Sequence, residues 1–239
     1  MSEFWNDELS VGYYDKIVKE GFQQKKGIRS YWHISTLNKV LEFINTNSSH
    51  LDYACGPGTL IGLSSCNNSM GIDISSNQIG YANDNYSKYG KFYTLDEIDL
   101  NNFSNKFDVV TILGLIEFLK DEEIRDLINL LDKVLKKDGK IILTTPNFRG
   151  KMLFFEKVQK YFGSIDYSKH HVNRFNKVRI ISTFRCFSNY KFDYKIFLNI
   201  SIVFSMISHS FASRVEKIVA TTFKDKIGSL FIVVLTKKS

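Results

Sequence analysis

From about residue 50 onward, short apolar runs alternate with longer stretches in which apolar residues recur at helical spacing. That alternation predicts a parallel sheet covered by helices. HLDYAC (50–55), SMGIDI (69–74) and KFYTL (91–95) read as the first three strands. FDVVTILG (107–114) is a near-continuous apolar run, the form taken by a strand buried on both faces. GKIILTTPN (139–147) reads as a fifth. Helices fall between them. SSNQIGYANDNYSKYG (75–90) opens on serine and closes at Gly90. In DEEIRDLINLLDKVLKKDG (121–139), Ile124, Leu127, Ile128, Leu131, Val134 and Leu135 form one stripe behind an acidic first turn.

The pattern changes after Pro146. It predicts a helix at 152–163, a polar aromatic loop at 164–175, a helix near 176–187 and a strand at 192–198. A helix across 200–221 and a last strand at 229–236 complete the chain. In that last helix Ile200, Val203, Phe204, Ile207 and Phe211 form an apolar stripe, expected to pack on the sheet, with membrane contact as the alternative. The N-terminal part reads as two aromatic helices, 11–22 and 30–44, lying beside or across the carboxyl edge of the sheet. Ligands bind at that edge in open α/β folds.

Composition adds bounds. A chain of 239 residues with 44% hydrophobic and 24% charged residues fits one globular domain. Cys55, Cys66 and Cys186 are odd in number and widely spaced, which indicates neither a disulfide framework nor a zinc site. A reducing compartment is the default, and with no basic-then-apolar leader the expectation is a cytoplasmic protein. FLNISIVFSMISHSFA (197–212) is too short and too polar for a membrane span of about 20 apolar residues. The net charge of +7 is uneven: residues 1–145 hold 15 Lys/Arg against 20 Asp/Glu, and residues 146–239 hold 17 against 5. The basic part points to an anionic neighbour (a phosphorylated acceptor, a membrane surface or nucleic acid) or to a solvated lysine-rich surface.

The most specific chemistry lies in LDYACGPGTL (51–60). A glycine-rich turn directly after a strand lets backbone approach a ligand and aims helix N–H groups at it. Asp52 lies inside the strand before the turn, where a carboxylate is costly without a cation or donors. Asp73 ends the second strand, placed to accept from two ribose hydroxyls, and Asp96 follows the third, placed to accept from an adenine amino group. The dinucleotide pattern GxGxxG fits poorly, because GPGTLI puts Ile61 where its third small residue belongs. Asp52 would also repel a pyrophosphate and suits an amino acid bearing an ammonium or sulfonium.

On these residues the chain resembles the class I S-adenosylmethionine-dependent methyltransferases. LDYACGPGTL is similar to their first motif, GIDIS to the ribose-binding second and FYTLDEIDL to the adenine-contacting segment. FDVVTILGLIEFLKD and LKKDGKIILTTPN are similar to the fourth- and fifth-strand segments of the small-molecule branch. The resemblance implies a three-layer α/β/α Rossmann-like fold with a mostly parallel seven-stranded sheet, its last strand antiparallel, and an N-terminal helical lid. It implies one domain: a lid at 1–46, a cofactor core at 47–147, and a substrate-pocket insert with the last strands at 148–239. It implies S-adenosylmethionine as cofactor, S-adenosylhomocysteine as product, and no metal. Asp52, Ala54, Cys55, Gly56 and Gly58 would surround the methionine part, with Asp73 on the ribose and Ile74 beside adenine. Asp96 and Glu97 would sit at the adenine edge, and Leu113 and Gly114 at the amino-acid end. Two departures stand out: Ala54 replaces the usual first glycine, and Phe118 stands where many relatives have a histidine after the glutamate.

Methyl transfer needs alignment, and a base only where the acceptor is a hydroxyl or a protonated amine. Candidates for base are His171, His33 and Glu117, then Asp15, with Tyr13, Tyr14, His170 and Arg174 as acceptor contacts. GLIEF follows the fourth strand in place of an NPPY-type tetrapeptide, which argues against nucleic-acid or glutamine N-methylation of the amino-methylase type. The reading is O- or N-methylation of a small or medium acceptor, with the basic part hinting at an anionic one such as a nucleotide sugar or a surface-glycan or lipid-linked precursor. A non-catalytic cofactor-binding partner subunit and an RNA methyltransferase are the competing readings, and a dehydrogenase comes last.

Overall fold

The computed structural model describes residues 9–64, 66–148, 170–223 and 226–239. Among them, seven strands form one sheet: β1 (Ser49–Tyr53), β2 (Asn68–Asp73), β3 (Gly90–Thr94), β4 (Phe107–Leu113), β5 (Leu135–Pro146), β6 (Tyr190–Phe197) and β7 (Leu230–Lys237). The spatial order is β3-β2-β1-β4-β5-β7-β6. β1 to β5 pair in parallel, and β7 enters antiparallel between β5 and β6. Helices α1 (Tyr13–Gln24), α2 (Ile28–Leu41), α3 (Thr59–Leu63), α4 (Ser76–Tyr86), α5 (Asp121–Val134) and α6 (Lys177–Phe184) flank it, followed by α7 (Ser201–Phe204) and α8 (His209–Phe223).

Alternation along β4 builds the three layers. Val110 and Ile112 face α5 and α6, burying Ile124, Leu127, Ile128, Leu131, Ile180 and Phe184. Val109 and, on β5, Ile142 face the opposite layer, which α2 supplies through Tyr31, Ile34, Leu37 and Val40.

α1 is fixed by one carboxylate. Asp15 is fully buried and accepts from Thr59 Oγ1 at 3.0 Å on α3, and from Tyr81 Oη at 2.7 Å and Tyr86 Oη at 2.5 Å on α4. Lys19, one turn along, closes the set at 2.7 Å. Asp15 was a candidate base; with every approach taken by a donor, it is a fastener between helices and does not line the cavity described below.

Three expectations are corrected here. The helix predicted to run to Gly139 ends at Val134, because Leu135 already pairs with Phe107 in the sheet. The helix predicted across 200–221 is broken into α7 and α8. The α1–α2 turn is docked at the break: Gly27 N–H donates to Ser205 O at 2.7 Å, and His209 N–H donates to Lys25 O at 2.8 Å. Of the apolar stripe on that helix, Phe204 packs against the cluster that holds Ile142, Leu230 and Ile232, but Ile200, Val203, Ile207 and Phe211 are 54, 49, 72 and 45% exposed. The helix predicted at 152–163 and most of the loop predicted at 164–175 lie outside the described residues.

Asp15→Ala should lower stability by about 3 kcal/mol, because it strands buried donors and leaves Lys19 without its partner. Urea unfolding monitored by circular dichroism checks this. Burial works to raise the Asp15 pKa, but Lys19, Tyr86, Tyr81 and Thr59 outweigh it and hold it below 3.8. The folded pKa being depressed, the stability Asp15 adds is present above pH 3.8 and drains away as pH falls through the lowered value. A shallower acid transition in the variant is the expected sign.

Candidate functional site

β1 pairs with β2 on one side and β4 on the other, so the order of strands reverses there and a crevice opens at their carboxyl ends. The chain turns out of β1 through three left-handed residues, Ala54 (φ 61°), Gly56 (φ 51°) and Gly58 (φ 75°). The two glycines do different work. A Cβ on Gly56 would meet nothing within 4 Å, so its bare backbone faces open space, whereas one on Gly58 would come within 2.7 Å of the Phe92 ring. Gly58 therefore lets β3 close on the turn. Ala54 holds its left-handed conformation at a cost of about 1 kcal/mol.

Two acids frame the turn. Asp73 accepts from Gly56 N–H at 2.7 Å and Ser75 N–H at 2.9 Å, which fixes its carboxylate at the edge of the crevice. Burial raises its pKa, and these backbone donors oppose the rise. Asp52 is only 2% exposed, and among the described residues no ion pair reaches it. Thr111 Oγ1 donates to Asp52 Oδ1 at 2.6 Å, and His50 Nε2 lies 2.8 Å from the same hydroxyl. One hydroxyl proton serves one acceptor well, so with Thr111 donating to Asp52, His50 Nε2 must carry a proton and donate to Thr111. Burial drives the His50 pKa down to about 3, which keeps this imidazole neutral. Burial also pushes Asp52 up to about 7, with Thr111 opposing and the Asp73 charge adding to the rise. Among the described residues this buried carboxylate has a hydroxyl donor and no cation beside it, so its charge is only partly compensated.

These groups open into a cavity of about 1030 Å³. Its wall includes Asp52, Ala54, Cys55, Gly56, Asp73, Ile74, Leu113 and Gly114 among the cofactor residues expected from sequence. Ile74, 45% exposed, and Leu95, 39% exposed, offer an apolar platform beside Asp73. Gly58, Asp96 and Glu97 do not line the cavity. Glu97 Oε2 accepts instead from Thr94 N–H at 2.8 Å, and the Thr94 hydroxyl holds the exposed Asp96 carboxyl below its usual pKa.

The catalytic candidates Glu117, His171 and His33 line the same cavity. Glu117 is 4% exposed, and Thr145 Oγ1 donates to its Oε2 at 3.1 Å. Burial pushes it up to about 7, against its own backbone N–H and Thr145. His171 is held between Phe118 and Phe148, with ring centroids 5.1 and 5.2 Å away, so the phenylalanine that departs from the family pattern supports another histidine. His33 packs on Tyr14 at 5.2 Å; burial and then Arg29 drive it down to about 4. Tyr13 Oη accepts from Arg29 Nη1 at 3.3 Å, and Tyr13 and Tyr14 both line the wall. His170 and Arg174 do not. Sequence reading missed Thr111, His50, Leu95, Trp32 and Thr145; of these only His50, a histidine inside an apolar strand two residues before Asp52, carried a visible signal. Among the described residues no group of three or more His, Cys, Asp or Glu is placed to hold a metal.

Residues 51–139 match the family model described as a methyltransferase domain. No curated protein matches the chain. Among solved structures, a SAM-dependent methyltransferase from Archaeoglobus fulgidus is similar at 14% identity and TM-score 0.58, over 85% of this chain and 92% of that one. A SAM-dependent methyltransferase from Thermotoga maritima, a possible histamine N-methyltransferase, is similar at 12% identity and TM-score 0.61, over 95 and 100%. Magnesium protoporphyrin IX methyltransferase from Synechocystis, with bound SAH, is similar at 14% identity and TM-score 0.56, over 95 and 98%. At these identities the three share the fold with this chain.

Thr111→Val should weaken S-adenosylmethionine binding about tenfold by calorimetry, the worth of one charge-assisted hydrogen bond. Methylthioadenosine, which lacks the amino-acid end, should bind both proteins alike. An ammonium selects the ionised form of Asp52, whose folded pKa is raised to about 7. Affinity should therefore climb as pH rises to 7 and level off above.

Proposed function

We propose that the chain is a class I S-adenosylmethionine-dependent methyltransferase that methylates a nitrogen or oxygen of a small or medium acceptor held against Glu117, a reading supported by the methyltransferase-domain match and the shared fold. The observation that carries this reading is a buried carboxyl with a pKa near 7, sharing one cavity with the cofactor residues Asp52 and Asp73. Bound S-adenosylmethionine supplies a methyl group already activated as a cation.

The residues present fit that cofactor: Gly56 offers unobstructed backbone, Asp52 lacks a cation, and Asp73 is fixed by two backbone donors. Asp52 would hold the ammonium, Asp73 the ribose hydroxyls, and Ile74 with Leu95 the adenine face. Glu117 accepts the proton that an amine or hydroxyl must shed. Its pKa matches neutral pH, where His33 at about 4 is too weak a base. Val18, Ile28, Trp32, Leu37, Phe118 and Ile202 shut water out of the reacting volume.

Wall charge narrows the acceptor. Among the described lining residues there are five carboxylates, Asp52, Asp73, Glu117, Glu123 and Asp126, against one cation, Arg29. The reacting end of the acceptor is therefore neutral or basic, and an anionic group on it stays outside the cavity. Of the precursors suggested by the basic C-terminal part, a lipid-linked one agrees best with the apolar wall.

Glu117→Gln should lower kcat by about 100-fold with a hydroxyl or amine acceptor and leave S-adenosylmethionine affinity within about twofold. With S-adenosylmethionine saturating across the pH range, wild-type kcat/KM for the acceptor should rise through pH 7, and this rise should vanish in the variant. An undiminished kcat in the variant would remove Glu117 as the base.

A further inference from the structure

The face made by α7, α8 and their flanking turns is apolar and unpaired with the sheet. Val203, Met206, Ile207, Phe211, Ile218 and Phe223 are between 45 and 72% exposed. Phe211 and Ile218 sit seven residues apart on one side of α8, with Arg214 in the row beside them. Arg214, Lys217 and Lys226 are exposed along the same segment. The α1–α2 turn, tied to Ser205 and His209 by backbone hydrogen bonds, adds exposed Lys25 and Lys26. Negative charge is withdrawn from this surface. Among the described residues from 200 to 227 the one carboxylate is Glu216, and it is turned inward. Its oxygens accept from Leu198 N–H at 2.8 Å, Asn199 N–H at 3.0 Å and Ser201 Oγ at 2.5 Å.

Exposed aliphatic and aromatic side chains interleaved with cations, with no outward carboxylate among the described residues from 200 to 227, match the surface of an anionic bilayer: acyl chains accept the apolar groups while headgroups meet the lysines. A second copy of the chain would instead bring these cations face to face. The face is also continuous with the cavity, since Ile202 of α7 and Ile28 and Arg29, just beyond the α1–α2 turn, line its wall. Among the described residues no helix is long and apolar enough to cross a membrane, so contact is with the surface.

We propose that the α7–α8 face docks on an anionic lipid bilayer, from which the acceptor enters the cavity. The docking stands on the surface alone; the route of entry rests on the lipid-linked reading of the acceptor. Sedimentation with vesicles of phosphatidylcholine, with and without phosphatidylglycerol, tests it on the full chain. Partition onto the mixed vesicles should be at least about tenfold the stronger, and should fall as salt is added. The double variant Ile207→Asp, Ile218→Asp should lose about tenfold of that partition. Its S-adenosylmethionine affinity should be unchanged, which shows that it folds. Equal partition onto both vesicles, or onto neither, overturns the docking. So does a dimer in analytical ultracentrifugation that the same two substitutions dissolve, because a second copy then covers the face. Vesicle binding together with full activity of Glu117→Gln would leave docking standing and sink the acceptor-site reading.

Discussion

A carboxylate in the middle of a parallel sheet, with no cation beside it among the described residues, is the constraint around which this site is arranged. Asp52 belongs to β1, the strand at which the order of the sheet reverses, so it opens on the crevice that the topology creates. Desolvating that charge is unfavourable, and the protein moderates it with a single threonine hydroxyl oriented from behind by a histidine. A cationic ligand would supply the remaining compensation, so that binding and charge neutralisation would be the same event. In the proposed function, the glycine turn, the fixed Asp73 and the apolar platform would organise the rest of the cofactor around that anchor.

Asp15 shows the opposite use of the same chemistry. It too is buried, yet four donors from three helices satisfy it, and its pKa goes down where that of Asp52 goes up. Satisfaction separates a structural acid from a receptive one. Glu117, buried with one hydroxyl donor to its side chain, lies with Asp52 on the receptive side of that division.

The sheet was legible because short apolar runs, near-continuous in β4, recur between turns and helical stretches, which leaves little room for another secondary structure. Asp52, Gly56 and Asp73 were legible because a turn of that shape and acids at those strand ends are hard to place otherwise. What escaped was tertiary in origin. Leu135 fits a helical stripe as well as it fits a strand, and only pairing with Phe107 decides between them. The break after Phe204 is tied to backbone groups of Lys25 and Gly27, far away in sequence. Thr111 is an ordinary β-branched residue until its hydroxyl is seen against Asp52. Asp96 and Glu97 follow the third strand as expected, but their carboxylates turn back on Thr94 and away from the crevice.

The α1–α2 turn has a consequence of its own. It connects the helix carrying Tyr13 and Tyr14 to the helix carrying Trp32 and His33, and its backbone is also pinned to Ser205 and His209. One short segment therefore serves as the hinge pin of the cavity wall and as a strut of the outer apolar face. Free energy that shifts this turn from either side is felt at the other, and thermodynamic reciprocity requires the two influences to be equal in size. Seven residues of backbone from Lys25 to Tyr31 thus join the outer apolar face to the cavity wall, so a cost of moving one would be shared by the other.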